Sequence, residues 1–370
     1  MKFSISKSRL SSYLQHVLQV VPTKSTLPIL TNILVEALEN KLKLSATDLD
    51  ISISASVDCT VTKKGSASVP AKMFSEIVRE LPESEVTIEL VGTRLEIKIP
   101  NGSYKIPTIS AEEFPKIPAI NTRKEIRIGG AELVRMIRKT TFACSDDETR
   151  PQLNGVLWQT KGDRMVMVAT DGHRLARAAM PNTKLKGMSD DVIIPPKVLN
   201  LIPKFLTQEN AEAGIIFGEN NIIFNLADVV LTSRLIEGPY PNFEQVIPAS
   251  TDKKMTIRKD ELASAVRRVA ILSNALTHQV KFTIKTGSLT LSTANTDVGG
   301  EGREQLSCDY KGETLEIGYN AAYVNDILSR MDDDEVCFEL TSSVAAGVVS
   351  SPGAPKDEYL CLVMPLRLAD

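Results

Sequence analysis

Apolar positions along the chain follow a pattern that recurs three times. ISKSRLSSYLQHVLQVV from Ile5, IGGAELVRMIRKTTFAC from Ile128 and IRKDELASAVRRVAILS from Ile257 start 123 and 129 residues apart. In register, Leu10, Leu133 and Leu262 coincide, then Leu14, Ile137 and Val266, then Val17, Thr140 and Val269. Steps of four and three residues put each set on one helical face. A second segment recurs at a constant offset of 125: VPAKMFSEIVREL from Val69, IPPKVLNLIPKFL from Ile194 and YNAAYVNDILSRM from Tyr319. It aligns Phe74, Leu199 and Val324, then Ile77, Ile202 and Ile327, then Leu81, Leu206 and Met331. Pro70 and Pro195 suit a first helical turn. Pro203 predicts a kinked or shortened helix, since an interior proline cannot donate to the preceding turn.

Between the two helices of each unit lies a third echo: KLKLSATDLDISISASV from Lys41, RMVMVATDGHRLARAAM from Arg164 and SLTLSTANTDVGGEGRE from Ser288. Alternation such as Leu42, Leu44, Ala46 predicts strands with one buried face. VTIEL, GTRLEIKI and SYKIPTI alternate likewise after the second helix. The proline-bearing stretches 113–122 and 238–251 close the first two units. The expected fold class is therefore α+β, as three copies of one domain with two helices against antiparallel sheet. The expected bounds are 1–120, 121–250 and 251–370.

Composition narrows the function. At 42% hydrophobic and 24% charged the chain reads as globular. No apolar run approaches the ~20 residues that span a bilayer, so no membrane partner is expected. MKFSISKSRL lacks the apolar core of a signal peptide. Five scattered cysteines without a CxxC pair argue against a disulfide framework or a zinc site. A cytoplasmic setting follows as the expectation.

The 43 basic residues against 46 acidic ones give a net charge of −3, a poor balance for a protein gripping nucleic acid by bulk charge. The basic residues nevertheless gather on non-core helix positions. These are Lys7, Arg9, Arg135, Arg138, Lys139, Arg267 and Arg268 on the first-type helices, and Lys72, Arg79, Lys197, Lys204 and Arg330 on the second type. Gathered on one surface, they could face phosphates. Aromatics at 5% do not signal stacking of single-stranded bases, so duplex backbone is the better target.

Enzyme signatures are missing from the sequence. It has no GxxxxGK[ST] loop, no GxGxxG after a strand and no HExxH. His16, His173 and His278 lack ligand spacing. His173 beside Asp171 reads as a packed or hydrogen-bonded imidazole before it reads as a general base. The acidic run Asp332–Glu335 reads as a solvated loop before it reads as a Mg²⁺ site for a nuclease. No catalytic residue, metal or cofactor is expected.

With TLPIL at 26–30, VPAK at 69–72, LNG at 153–155, ATDGHRLA at 169–176, PYPNFEQVIP at 239–248 and YLCLVMPLRL at 359–368, the chain resembles the bacterial sliding clamps, the beta subunit of DNA polymerase III. The resemblance spans nearly the whole chain. It implies three clamp domains per subunit and a head-to-tail homodimer closing a ring, one of the outcomes that heterologous contacts permit. It implies duplex DNA as a sequence-independent partner, with the replicative polymerase, a clamp loader and other proteins binding through short peptide motifs. The family's DNA contacts map onto Lys24, Lys72, Arg150 and Gln152. Its peptide pocket maps onto Leu153, Thr170, Gly172, His173, Arg174, Leu175, Pro241 and Val246, completed by Leu362, Met364, Pro365, Leu366, Arg367 and Leu368. Leu, Val, Met and Pro suit an apolar groove with a polar rim, and methionine adapts to several partners. The sequence departs from the family at Pro151 and Gln152, where aromatics occur, at Gln245, where a basic residue is common, and in the Ala369–Asp370 extension. A peptide-binding scaffold without DNA is the alternative reading of the residues alone.

Overall fold

A computed structural model describes residues 1–118, 125–161, 164–181, 191–206, 208, 211–295, 299–353, 355 and 357–368. The first expected domain boundary and Ala369–Asp370 lie outside these. Six α-helices occur among the described residues: α1 Lys7–Val17, α2 Ala71–Glu80, α3 Gly130–Thr140, α4 Pro196–Leu199, α5 Lys259–Ala270 and α6 Ala321–Leu328. All nine aligned core positions of α1, α3 and α5 are buried, Thr140 included, its hydroxyl donating to the Met136 carbonyl at 2.8 Å. In the second-type segment Phe74, Leu199, Val324, Ile202, Ile327, Leu81 and Met331 are buried, while Ile77 and Leu206 are half-buried. Pro70 and Pro195 stand one residue before the helices rather than inside their first turns. α4 stops at Leu199 and the chain resumes as a 3₁₀ turn over Ile202–Lys204, as a proline at 203 dictates.

The chain packs as two compact units, residues 1–134 with 197–235, and 135–196 with 236–370. The first unit holds a five-stranded sheet and an eight-stranded sheet. In the eight-stranded sheet, Ile51–Asp58 of the first repeat pairs antiparallel with Val229–Arg234 of the middle repeat. The second unit holds a nine-stranded and a four-stranded sheet. In the nine-stranded sheet, Arg174–Pro181 of the middle repeat pairs antiparallel with Tyr359–Val363 of the third. The registers match: Ile53 faces Leu231 and Ala176 faces Cys361, in each case the third residue of both strands. Three repeats thus give two packing units, because the strands of the middle repeat are divided between two continuous sheets.

The first unit also holds a half-buried titratable side chain. His16 on α1 lies between the rings of Tyr13 and Phe205, at centroid distances of 5.4 and 5.2 Å. Its buried Nδ1 has no hydrogen-bond partner. Burial pushes its pKa below 6.5, against the opposing pull of Asp228. The unfolded chain therefore takes up a proton near pH 6.5 that the folded chain resists, so this contribution to stability is lost as pH falls through 6.5. Thermal midpoints measured from neutral pH downward should fall less for His16→Phe than for the unsubstituted chain. Equal falls would show that His16 is not titrating in this way.

Candidate functional site

The ATDGHRLA string forms a tight turn between two strands of the nine-stranded sheet. Asp171 Oδ1 accepts from the backbone N–H groups of His173 and Arg174 at 2.8 and 2.9 Å. The Thr170 hydroxyl donates to the Arg174 carbonyl at 2.6 Å. Gly172 adopts φ 89°, a left-handed conformation that glycine takes without strain. The first repeat builds the same turn from Thr47 and Asp48, whose Oδ1 accepts from Asp50 and Ile51 at 3.1 and 2.7 Å, with Leu49 at φ 81°. The turn is therefore a feature of the repeat, and the side chains mounted on it differ.

On the middle repeat those side chains meet the C-terminal segment. Leu175 faces Leu362 across the strand pair, and Met364 N–H donates to the His173 carbonyl at 2.8 Å. Beyond Met364 the chain leaves the sheet. Leu366 N–H donates to the Gly318 carbonyl at 2.8 Å, and Gln279 Nε2 donates to the Arg367 carbonyl at 3.1 Å. A Cβ at Gly318 would stand 2.8 Å from the Leu366 carbonyl oxygen, so only glycine permits this approach. Leu175 and Leu362 belong to a buried apolar cluster with Phe243, Val348 and Ile193, against which Tyr240, Ile236 and Ile247 pack. Above it Val246, Pro241 and Met364 are exposed, and Pro365, Leu366 and Leu368 half-buried. Leu153 is buried, its carbonyl accepting from Ser145 at 2.9 Å. Gln245 is exposed in the 3₁₀ turn Phe243–Val246.

Arg174 anchors this rim. Its guanidinium pairs with Asp171 at 3.1 Å and with Asp326 of α6, and lies 4.6 Å from the centre of the Tyr323 ring. His173 stacks on the same ring at 6.2 Å. The Asp171 carboxylate is thus committed to two N–H groups and an arginine, and the arrangement offers His173 no general-base dyad. The sequence reading missed Tyr323, Asp326, Gly318 and Gln279. They reach the site through pairings between residues far apart in the chain, for which periodicity gives no signal.

The basic positions divide. Lys139 does not face solvent: it is 6% exposed, pairs with Asp332 at 2.8 Å, donates to the Arg330 carbonyl at 2.6 Å and lies 4.3 Å from the Tyr359 ring centre. It is corrected from a phosphate contact to a packing residue. Its partner Asp332 is thereby engaged, and among the described residues no cluster of three His, Cys, Asp or Glu side chains could hold a metal. Arg79 pairs with Glu80, Arg150 with Asp147, Lys197 with Asp48 and Arg268 with Glu304. Hydrogen bonds from Thr149, then the Arg150 pair, hold the Asp147 carboxyl at about 2. Lys204 donates to Gln19 and Arg267 to Ser264. Lys24, Lys72, Arg135 and Arg138 are exposed and form no ion pair among the described residues, and Gln152 is half-buried. Arg138 and Lys139, like Arg267 and Arg268, occupy last turns of helices, where the dipole favours cations irrespective of any ligand.

The C-terminal anchor makes a direct prediction. Gln279→Ala removes the donor to the carbonyl of the bond that trypsin cuts after Arg367. Losing about 1 kcal/mol of local stability should raise cleavage there about fivefold, read by mass spectrometry. An unchanged rate would show that the segment is not held at this point.

Family models match most of the chain: the N-terminal domain of the DNA polymerase III beta subunit matches residues 1–118, its central domain 127–242 and its C-terminal domain 244–367. The beta sliding clamps of Chlamydia pneumoniae and Escherichia coli K12 are 32% and 33% identical to it, with complete coverage of both chains. Among solved structures, the Bartonella birtlesii DnaN sliding clamp bound to griselimycin superposes with a TM-score of 0.94 at 33% identity. The Bacillus subtilis clamp superposes with 0.95 at 29%, and both comparisons cover the full length of both chains. With three successive domains matched in order and the fold reproduced throughout, the chain belongs to the DNA polymerase III beta subunit family, the bacterial sliding clamps.

Proposed function

We propose that two copies of this chain close head to tail into a ring around duplex DNA, and that the groove beside the Asp171 turn tethers proteins to it. The chain is a processivity factor without catalytic activity, serving the replicative polymerase and other DNA-processing proteins. Its three clamp domains are assigned to 1–120, 121–250 and 251–370, and its setting is the cytoplasm. Among the described residues no helix is long and apolar enough to cross a membrane.

The observation that carries this reading is a free sheet edge at each end of the repeat series. Among the described residues, Gly102–Pro107 closes the five-stranded sheet and Gly300–Ser307 the four-stranded sheet, each paired with a strand on one side only. They are the repeat equivalents of strands that pair elsewhere in the chain. Unpaired edges of this kind are templates for another chain, and a heterologous contact between them can close a ring.

Threading explains why a net charge of −3 is compatible with DNA. A closed ring stays on by topology and needs only weak, sequence-neutral phosphate contacts. The exposed cations that form no ion pair among the described residues, Lys24, Lys72, Arg135 and Arg138, are the best candidates for these. The paired ones, Arg79, Arg150, Lys197 and Arg268, contribute less, because their charge is already offset by a neighbour.

Partners dock in the groove floored by Leu175, Leu362 and Phe243, with Val246 and Met364 as exposed apolar contacts and His173, Arg174 and Arg367 on its rim. A short extended or turn-forming peptide with apolar side chains fits that chemistry. The griselimycin carried by the Bartonella birtlesii clamp is consistent with a ligand-accepting surface in this family.

Two variants separate the surfaces. Lys24→Ala with Lys72→Ala should lower the salt dependence of DNA binding by about 2 in log–log slope and leave binding of a polymerase-derived clamp-binding peptide unchanged. Met364→Asp with Val246→Asp should abolish peptide binding and leave the DNA slope unchanged. An unaltered DNA slope in the lysine variant would favour a peptide-binding scaffold.

A further inference from the structure

A cavity of 690 Å³ opens in the first unit, inside the range of about 300–1,000 Å³ usual for small-molecule sites. One wall is aromatic. Tyr13 and His16 lie side by side on α1, and the Phe205 ring meets His16 edge-on at 5.2 Å. All three rings are half-buried. A second wall is the tip of the hairpin that joins Asn221–Leu226 to Val229–Arg234. Ala227 in this tip has φ 56°, a left-handed conformation that costs alanine energy. The Asp228 carbonyl accepts from the Ser56 N–H at 2.9 Å, which fixes the tip to the sheet of the first repeat.

The charges on these walls are unequally committed. Arg127 pairs with Glu212 at 3.9 Å, and Lys204 donates to Gln19 at 2.6 Å. Asp228 and Glu125 form no ion pair among the described residues. Asp228 Oδ2 accepts from the Tyr13 hydroxyl at 2.8 Å, and Glu125 Oε1 accepts from Asn225 Nδ2 at 3.4 Å. The second oxygen of each carboxylate has no hydrogen bond among the described residues. Burial, then the bond to Asp228, raises the Tyr13 phenol to about 12, so it stays a donor at neutral pH. The Glu125 carboxylate lies against Gly214, where a Cβ would collide with it.

Free acceptor oxygens beside aromatic rings call for a donor-rich cation. An ammonium group gives carboxylates charge-assisted hydrogen bonds and is attracted to the face of a tyrosine ring. An anion would meet two carboxylates with no cation to offset them. A wholly apolar ligand would strip their water and replace none of its hydrogen bonds. We infer that this cavity is a binding site for a short aliphatic diamine. One ammonium sits on Asp228 beside the Tyr13 ring, the other sits on Glu125, and the methylenes run past Phe205 and Leu206. The site takes α1 from the first repeat and the hairpin tip and Phe205 from the middle one, so an occupant ties the two repeats of this unit together. Neither carboxylate and none of the three rings belongs to the partner groove or to the cations assigned to DNA.

Isothermal titration of the full-length chain with putrescine tests the assignment, with butanediol as the uncharged molecule of equal length. Putrescine should saturate a single site per chain and raise the thermal midpoint, and butanediol should do neither. Asp228→Asn and Glu125→Gln should each weaken putrescine binding at least about tenfold. Tyr13→Leu keeps every charge and should weaken it about fivefold, whereas Tyr13→Phe keeps the ring and should stay within about threefold of the unsubstituted chain. Glu219→Gln, which neutralises an exposed acid that is not on the cavity walls, should leave binding unchanged. Should Tyr13→Leu lose helical circular dichroism, the Tyr13 ring-proton shifts followed during the titration replace it; they should move, and static shifts would count against the site. Heat that never saturates and falls equally in all the acid variants, Glu219→Gln included, would reveal diffuse counter-ion attraction and overturn the proposal. Binding that survives both Asp228→Asn and Glu125→Gln would overturn it as well.

Discussion

Antiparallel strand pairing between successive repeats is the interaction on which the remaining architecture depends. Ile51–Asp58 with Val229–Arg234, and Arg174–Pro181 with Tyr359–Val363, each turn two short meanders into one continuous sheet. The pairing satisfies backbone groups that would otherwise line an exposed edge. It also delivers the C-terminal strand to the Asp171 turn, so the groove exists only because the third repeat has docked on the middle one. The same operation, applied once more between chains, is what the free edges at Gly102–Pro107 and Gly300–Ser307 call for.

Function sits on this scaffold as local variation of a repeated part. The Thr–Asp turn occurs in the first and middle repeats with the same hydrogen bonds. In the first repeat Asp48 pairs with Lys197. In the middle repeat His173 and Arg174 face Tyr323, and the His173 carbonyl accepts from the C-terminal segment, so the turn becomes a rim beside the groove. Similarly, one helix position carries His16 in an aromatic contact, a buried Lys139 whose ion-pair partner Asp332 is exposed, and Arg268 at an exposed end. Repetition sets the geometry, and the individual side chains decide what each copy does.

Much of this was legible in the sequence, for identifiable reasons. The faces of α1, α3 and α5 follow a helical period because one side of each is buried in the core, so their core positions could be read directly. The effect of Pro203 was readable because it rests on covalent chemistry alone. Lys139 was misread because period assigns it to a polar face, whereas the Arg330 carbonyl and Asp332 enclose it. That enclosure comes from residues almost two hundred positions away. The groove residues were named through resemblance to the clamps, while Tyr323, Gly318 and Gln279 emerge only when strands and helices distant in sequence are brought together. Division of the middle repeat between two sheets was equally invisible, since alternation predicts a strand but not its neighbour.

Encirclement is a topological link, and loading the protein onto gapped circular DNA with a clamp loader and then cutting the circle tests it directly. A closed ring should stay on the intact circle for long times, little affected by moderate salt, and slide off the ends promptly once the DNA is linear. Equal dissociation from circular and linear DNA, governed by salt alone, would contradict it.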